Sequence, residues 1–166
     1  MMESAPTSPD RKKRNPIRWL KSTSRRTFVL YPLAIIVIEL AMRRGELAFA
    51  PWGLPLLLWG YLQYRFGGTY RTNHGGGGPG LEVPPERIVD TGIYRYIRNP
   101  MYLGHMIFMA GLAITFQSWT AIALLLFHLY WFEARVREDE AHLRLLFGEA
   151  YRAYMARTKR WIPFIY

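Results

Sequence analysis

The sequence predicts an all-α integral membrane protein with about four transmembrane helices and a C-terminal cytosolic helical segment. Four apolar runs support this fold class, at residues 28–42, 47–64, 101–117 and 119–132. The chain is 51% hydrophobic, yet its formal net charge is +10 and its basic residues cluster at the ends of those runs. A bilayer-spanning helix needs about 20 apolar residues, and flanking aromatic and basic side chains extend a shorter run. Four buried helices of a water-soluble protein are the alternative, but so small a chain has too little amphipathic surface to cover them.

Residues 1–26 are predicted to form a basic tail. Serine, threonine, proline and basic residues dominate its start, which therefore buries too little apolar surface to fold. Trp19, flanked by basic residues, is typical of a helix that lies in a membrane interface. Residues 27–66 are expected to hold the first two transmembrane helices. The lone Glu39 in the first of them is expected to pair with Arg43 one turn later.

The polar segment at residues 67–99 is predicted to be a cytosolic loop. It contains a glycine-rich stretch at residues 75–80 and the pair Pro84 and Pro85, which disfavour both helix and strand. Phosphate-binding loops are also rich in glycine, but they follow a strand and end in Lys followed by Ser or Thr, and this stretch does neither. We therefore expect a linker or a lid rather than a phosphate site.

Residues 100–166 are predicted to form a helical hairpin followed by a C-terminal segment, which together make the cofactor site. Pro100 suits the first turn of a helix, where its missing N–H costs nothing. The last apolar run continues without a breaker into a charged stretch, so the fourth helix is expected to leave the membrane and to end at Gly148. A short further helix is expected to carry Tyr151 and Tyr154.

The distribution of positive charge predicts the orientation. Of the 22 lysines and arginines, only Arg43 and Arg44 lie between the first two apolar runs. Because cytoplasmic loops are enriched in Lys and Arg, both termini and the central loop are expected in the cytoplasm. The expected location is the plasma membrane of a bacterium or the endoplasmic reticulum of a eukaryote. Nucleic-acid binding is not expected, because basic residues placed beside apolar runs favour anionic lipid instead.

The residue types exclude several kinds of site. The chain has no cysteine, which excludes disulfides, thiolate nucleophiles and zinc–thiolate centres. Its four histidines, His74, His105, His128 and His142, do not have the spacing of metal ligands. No metal is therefore expected.

Two polar clusters flank the predicted hairpin. Asn99 and Tyr102 stand where the third apolar run begins, and the acidic pair Asp139–Glu140 follows the fourth run. Arg135 and Asp139 are four residues apart and so share one helix face. An antiparallel hairpin brings both clusters to the same end, where the free N–H groups of the third helix suit a ligand carboxylate. A solvated helix surface is the alternative interpretation of the charged stretch.

These clusters lie within an extended motif. Residues 92–104 read G-x-Y-x-x-x-R-N-P-x-Y-x-G, and the acidic pair is followed by x-x-L-x-x-x-F-G-x-x-Y-x-x-Y and a closing R-x-x-P. In order and spacing, residues 86–166 resemble the isoprenylcysteine carboxyl methyltransferase and phospholipid methyltransferase superfamily of integral membrane enzymes. Many members have His at the position of Asn99 and Glu at that of Asp139, so these two departures affect the geometry of the site.

The resemblance implies S-adenosylmethionine as the cofactor, bound at the cytosolic edge of the membrane. It also implies that Arg135 is the catalytic residue that contacts and orients the substrate. The cofactor-binding residues that it implies are Glu86, Arg87, Ile88, Val89, Tyr94, Asn99, Pro100, Met101, Tyr102, Asp139 and Glu140.

The implied activity is methyl transfer to a lipid-linked or prenylated acceptor, nearer the isoprenylcysteine branch because the C-terminal motif resembles it. A phospholipid amine N-methyltransferase is the alternative, and a non-catalytic membrane relative or adaptor is another. A sterol-type reductase is more distant, since the chain carries no nicotinamide-specific motif. A carboxylate acceptor needs only orientation by Arg135, whereas an amine must first lose a proton to Asp139, Glu140 or a tyrosine.

Overall fold

The computed structural model describes residues 22–78 and 83–162. Predictions for the basic tail and the interfacial helix therefore lie mostly outside the described residues. The same holds for part of the glycine-rich stretch and for the last four residues of the chain.

The described residues fold into helices joined by short connections. A first helical stretch comprises α1, a π-helical turn and α2, and short 3-10 turns precede α3 and α4. The bounds are Thr23–Arg25 for α1, Arg26–Leu30 for the π-helical turn, Tyr31–Met42 for α2, Pro51–Gly53 for the first 3-10 turn, Leu54–Gly75 for α3, Gly92–Arg95 for the second 3-10 turn, Pro100–Phe116 for α4 and Trp119–Arg157 for α5. Within the described ranges, β-type pairing is limited to one isolated parallel bridge between Ile97 and Lys159. The helical content agrees with the predicted all-α class.

The prediction of four transmembrane helices is wrong. In the part of the chain that the structure describes, no helix combines the length and the apolar character that crossing a membrane requires. Helix α2 has 12 residues and α4 has 17, whereas a span needs about 20. Helices α3 and α5 are longer, but each continues from an apolar half into a polar one. The apolar runs of the sequence therefore do not correspond to long helices that are apolar along their whole length.

Helix α3 is also longer than predicted. Its 22 residues end at Gly75, so residues 67–75 are helical rather than the beginning of a loop. Thr72 supports this last part, because its hydroxyl donates to the Gly68 carbonyl at 3.0 Å. The helix stops at Gly76, whose φ of 70° is a left-handed conformation that favours glycine.

The predicted break at Gly148 is confirmed. Gly148 has φ 56° and ψ −128°, which interrupts the helical backbone inside α5. The helical turns beyond it carry Tyr151 and Tyr154, and both side chains are buried. The kink therefore folds the end of α5 back against the rest of the molecule.

Glycines bring α3 and α4 into close antiparallel contact. A methyl group added at Gly60 would lie 2.5 Å from the Phe108 amide nitrogen, and one at Gly104 would lie 2.7 Å from the Gly60 carbonyl oxygen. Gly111 meets Leu57 in the same way. Larger residues would force the helices apart, so the small side chains determine the distance between them.

The core continues from α4 into α5. Met109, Phe132 and Val136 are almost fully buried, and they form one cluster with Trp161 of the C-terminal segment. Because the α4–α5 turn needs only two residues, the helices run back along each other. This antiparallel arrangement brings the start of α4 close to the middle of α5.

Candidate active site

The start of α4 is shaped by Asn99 and Pro100. Pro100 occupies the first helical position, and the Asn99 carbonyl accepts a hydrogen bond from the Leu103 amide at 3.1 Å. Asparagine is a preferred capping residue, yet the Asn99 side chain makes no capping hydrogen bond. The N–H groups of Met101 and Tyr102 thus have no partner inside the helix.

Tyr102 joins α4 to the predicted catalytic stretch of α5. Its hydroxyl donates to Asp139 Oδ2 at 2.7 Å, and Arg135 Nε lies 3.4 Å from Asp139 Oδ1. The Arg135 side chain is 48% exposed, whereas Asp139 is only 15% exposed. The structure therefore brings together three of the predicted site residues, with the guanidinium on the solvent side.

Burial and hydrogen bonding set the electrostatics of this group. Burial raises the pKa of Asp139, although the Tyr102 hydrogen bond and the charges of Arg135 and Arg71 act against it. Burial also raises the pKa of Tyr102, and the neighbouring Asp139 charge adds to the effect. Tyr102 therefore stays protonated at neutral pH and donates a hydrogen bond to Asp139.

Glu140 has a different environment from Asp139. Its Oε1 accepts from Arg98 Nε at 2.8 Å, and its Oε2 accepts from Arg160 Nη2 at 2.9 Å. Asn99 Nδ2 approaches Oε1 at 3.4 Å. The side chain is 3% exposed. The carboxylate that was predicted to bind the cofactor is thus already surrounded by protein donors.

Hydrogen bonds hold the C-terminal segment across this region. Arg98 donates to the carbonyls of Met155 and Thr158, and the Arg98 amide donates to the Lys159 carbonyl at 2.8 Å. Trp161 donates from its indole to Glu133 at 2.8 Å and packs edge-on against Tyr102. The segment therefore covers one side of Tyr102.

The predicted segment at residues 86–89 lies against the end of α3. The amides of Glu86 and Arg87 both donate to the Gly75 carbonyl, and Val89 is buried there, while Ile88 is partly buried. Among the described residues, no hydrogen bond or ion pair links this segment to Asn99 or Asp139. Its role in cofactor binding stays a prediction.

Tyr94 is a structural junction. It is buried, its hydroxyl donates to the Gly67 carbonyl of α3 at 3.1 Å, and its own carbonyl accepts from the Tyr154 hydroxyl at 2.7 Å. Burial raises its pKa to about 12. Tyr94 thus holds the connection before Asn99 between α3 and the end of α5.

Comparison with known families identifies the chain at the level of family. The family model of phospholipid methyltransferases matches residues 52–150, which contain α3, α4 and most of α5. The chain belongs to the phospholipid methyltransferase family. The predicted superfamily is thereby confirmed, and the match includes Asn99, Arg135 and Asp139.

Individual relatives of this family member carry a more specific name. Protein-S-isoprenylcysteine O-methyltransferase of Schizosaccharomyces pombe is 32% identical over 79 residues, which are 47% of this chain and 34% of that protein. Protein-S-isoprenylcysteine O-methyltransferase B of Arabidopsis thaliana is 29% identical over 80 residues, 48% of this chain and 41% of that protein. A probable protein-S-isoprenylcysteine O-methyltransferase of Oryza sativa is 30% identical over 82 residues, 48% of this chain and 42% of that protein. The matches thus span less than half the length of these relatives.

Sequence reasoning missed three arginines of the site. Arg71 of α3 contributes positive charge at Asp139, and Arg98 and Arg160 surround Glu140. Arg98 and Arg160 stand in the sequence motif, but nothing in their spacing indicates a buried partner. Arg71 lies in the segment that was predicted to be a loop.

The geometry fits a ligand that carries both charged and hydrogen-bonding groups. The free N–H groups of Met101 and Tyr102 suit a carboxylate, while Asp139 and the Asn99 side chain suit an ammonium or a hydroxyl. Glu140 fits less well, since its oxygen atoms are occupied. Within residues 22–78 and 83–162 there is no group of three or more potential ligands that could hold a metal ion.

Proposed function

We propose that this protein is an S-adenosylmethionine-dependent methyltransferase that acts at a membrane surface on a lipid-linked carboxylate, as an isoprenylcysteine-type enzyme. Family membership and the names of the relatives support methyl transfer. The observation that carries the proposal is the group formed by Tyr102, Asp139 and Arg135 beside the free N–H groups of α4. S-adenosylmethionine supplies a methyl group on a sulfonium, which an aligned nucleophile can accept without a covalent enzyme intermediate.

Arg135 is the residue that suits a carboxylate acceptor. Its guanidinium is half-exposed, lies 3.4 Å from Asp139 and 3.8 Å from Glu138, and also interacts with the Tyr102 hydroxyl. A planar guanidinium binds a carboxylate through two parallel hydrogen bonds, which fixes the orientation of the acceptor oxygen. A carboxylate is already nucleophilic at neutral pH, so no general base is needed.

Exposed apolar side chains support a lipid-linked acceptor. Helix α3 exposes Trp59, Leu62 and Phe66, and α5 exposes Phe127 and Tyr130. Monomeric soluble proteins rarely expose large contiguous apolar surface. These faces of α3 and α5 are suited to contact with hydrocarbon, whether a prenyl chain or the surface of a membrane.

A phospholipid amine is the second candidate acceptor. The description of the matched family favours it, and so does the environment of Asp139. An amine must lose a proton before or during transfer, and burial raises the pKa of Asp139, which makes its carboxylate a stronger base. In this case Asp139 is the base and Arg135 binds the phosphate.

The two acceptors are distinguished by incubating purified protein with methyl-labelled S-adenosylmethionine and either a farnesylcysteine analogue or phosphatidylethanolamine vesicles. A carboxyl methyl ester is hydrolysed by mild base, whereas an N-methyl group is not, so base treatment of the labelled product identifies the bond. We expect base-labile label in the farnesylcysteine arm. Label that survives base in the phospholipid arm favours the amine, and no label in either arm contradicts methyl transfer to both acceptors.

Variants then test the assigned roles. Arg135→Lys retains the charge but loses the planar geometry, and we expect turnover to fall by about tenfold or more while affinity for the donor changes little. Asp139→Ala removes an acceptor near the donor, and we expect affinity for the donor to fall about ten- to hundredfold. Arg152→Lys, on the exposed part of α5, is the matched control. Wild-type behaviour of both site variants would identify this stretch as a solvated surface.

A further inference from the structure

The two acids of the Asp139–Glu140 pair have different roles. We infer that Glu140 is a positioning residue, which turns the Asn99 amide so that its Oδ1 accepts a hydrogen bond from an N–H or O–H group of the methyl donor. This inference rests on the proposed function. It assigns to Glu140 an action through Asn99 in place of direct contact with the cofactor.

The orientation of the Asn99 amide follows from its neighbours. Nδ2 lies 3.4 Å from Glu140 Oε1 and 3.4 Å from the Arg160 carbonyl oxygen. Both neighbours are acceptors, so the NH₂ group faces them; the flipped amide would place Oδ1 against two oxygen atoms. Among the residues that the structure describes, none donates a hydrogen bond to Oδ1. The oxygen atom is therefore left for a ligand that donates.

Glu140 itself is fixed by ion pairs. Arg98 is 8% exposed and Glu140 is 3% exposed, and Arg160 adds two further contacts to Oε2, from Nε at 3.2 Å and Nη2 at 2.9 Å. A buried carboxylate with charged donors on both oxygen atoms has no freedom to rotate toward a ligand. Its remaining hydrogen-bonding capacity is directed at the Asn99 amide.

The position of Asn99 indicates which part of the donor it reaches. Asn99 immediately precedes the free N–H groups of α4, which suit the carboxylate of a ligand. An amide oxygen next to that position suits the ammonium on the same amino-acid moiety or a ribose hydroxyl, because both donate hydrogen bonds. It does not suit a second carboxylate.

A double-mutant cycle tests the coupling. The dissociation constant of the demethylated product, S-adenosylhomocysteine, is measured by calorimetry for wild type, Glu140→Gln, Asn99→Ala and the double variant. We expect Glu140→Gln to weaken binding about tenfold in the wild-type background and about twofold or less in the Asn99→Ala background, because the effect passes through Asn99. Equal weakening in both backgrounds overturns the inference.

A matched control separates positioning from folding. Glu133→Gln also loosens the C-terminal segment, since Glu133 accepts hydrogen bonds from Arg137, Arg160 and Trp161. We expect it to lower the melting temperature as Glu140→Gln does but to change ligand binding about twofold or less. Should Glu140→Gln fail to fold, Glu140→Asp retains the charge and shortens the reach to Asn99, and the same non-additivity with Asn99→Ala is expected. If Glu133→Gln weakens ligand binding as much as Glu140→Gln does, this result contradicts a specific role for Glu140.

A ligand-free measurement keeps the inference distinct from the proposed function. In ¹⁵N-labelled protein, the side-chain amide of Asn99 is expected to exchange slowly and to shift and exchange faster in Glu140→Asp, since its acceptor is withdrawn. If the chemical shift and exchange rate of the Asn99 amide do not change in Glu140→Asp, the inference is overturned, even if the wild type binds the donor. Failure of the wild type to bind the donor overturns the proposed function, whatever the amide shows.

Discussion

The two ends of the α4–α5 hairpin use similar polar groups in opposite ways. At the turn, Ser118 caps α5 by accepting from the Ala121 amide at 3.0 Å, and its hydroxyl donates to Glu39 at 2.5 Å. At the other end, Asn99 precedes α4 but does not cap it, and its amide faces Glu140 instead. The start of α5 is closed by protein groups, and we call it the closed end of the hairpin. The start of α4, the open end, keeps free backbone N–H donors and the Asn99 amide oxygen as an acceptor. A ligand therefore gains the most hydrogen bonds at the open end.

Two carboxylates show the same contrast. Hydrogen bonds from Ser118 and Arg43 lower the pKa of Glu39, although it is buried. Burial raises the pKa of Asp139 despite its bond to Tyr102. Glu39 is thus stabilised as an anion by its neighbours, whereas the neighbours of Asp139 do not offset the effect of its burial. We expect substitutions at the closed end to affect stability and those at the open end to affect binding.

The largest loss of stability is expected where α3 packs against α4, because this contact supports both ends of the α4–α5 hairpin. Gly60→Ala would place a methyl group 2.5 Å from the Phe108 amide nitrogen, and we expect a loss of about 3 kcal/mol in the free energy of unfolding. Chemical denaturation measures it. Gly68→Ala is the matched control, because its methyl group would meet only the flexible end of Met101, at 3.3 Å. Equal stability of both variants would contradict the close packing of the two helices.

A smaller effect is expected at the closed end. Glu39→Ala leaves the Ser118 hydroxyl and Arg43 without their acceptor, and we expect unfolding to become easier by about 2 kcal/mol. Binding of S-adenosylhomocysteine should stay within about twofold of wild type, because Glu39 is at the opposite end of the hairpin. Glu149→Ala removes an exposed ion pair with Arg152 and should cost no more than about 0.5 kcal/mol. A large loss of binding in Glu39→Ala would show that the two ends are coupled.

Local spacing in the sequence was sufficient for some of these features. The pairing of Glu39 with Arg43 was predicted from their separation of four residues, and the structure has it at 2.8 Å. Pro100 as the helix start and Gly148 as the break are also local signals, and both are confirmed. Each depends on backbone geometry within a few residues.

Contacts between distant segments could not be predicted in this way. Ser118 meets Glu39 across 79 positions, and Arg98 meets Glu140 across 42. No periodicity specifies such pairs, so the different roles of Asp139 and Glu140 were invisible in a sequence where they are neighbours. The transmembrane prediction failed for a related reason. The apolar runs do not reveal where helices begin, end and change from apolar to polar.

The pH dependence of stability provides a finer test of the two carboxylates. Because the pKa of Glu39 is lower in the folded state than in the unfolded state, the unfolded chain binds more protons between the two values. The stabilisation from ionised Glu39 is therefore complete above the unfolded-state pKa of about 4.3 and is lost as pH falls through the folded pKa. The stability difference between wild type and Glu39→Gln should shrink below about pH 4. A difference that is constant from pH 3 to pH 7 would contradict an anionic Glu39.

Among substitutions at the residues that distinguish the two ends of the hairpin, Tyr102→Phe at the open end is expected to have the smallest effect on stability. The substitution removes one hydrogen bond to a partly buried carboxylate, which is worth about 1 kcal/mol. Its clearer effect is on Asp139, because the Tyr102 hydroxyl holds the pKa of that carboxyl down while burial raises it. Carboxyl NMR titration should therefore find the pKa of Asp139 higher in Tyr102→Phe than in wild type. Since the hydroxyl favours the ionised form, the stability difference should be greatest above the pKa of Asp139 and should shrink as pH falls through it. An unchanged or lower pKa would mean that the Tyr102 hydroxyl does not support the Asp139 anion.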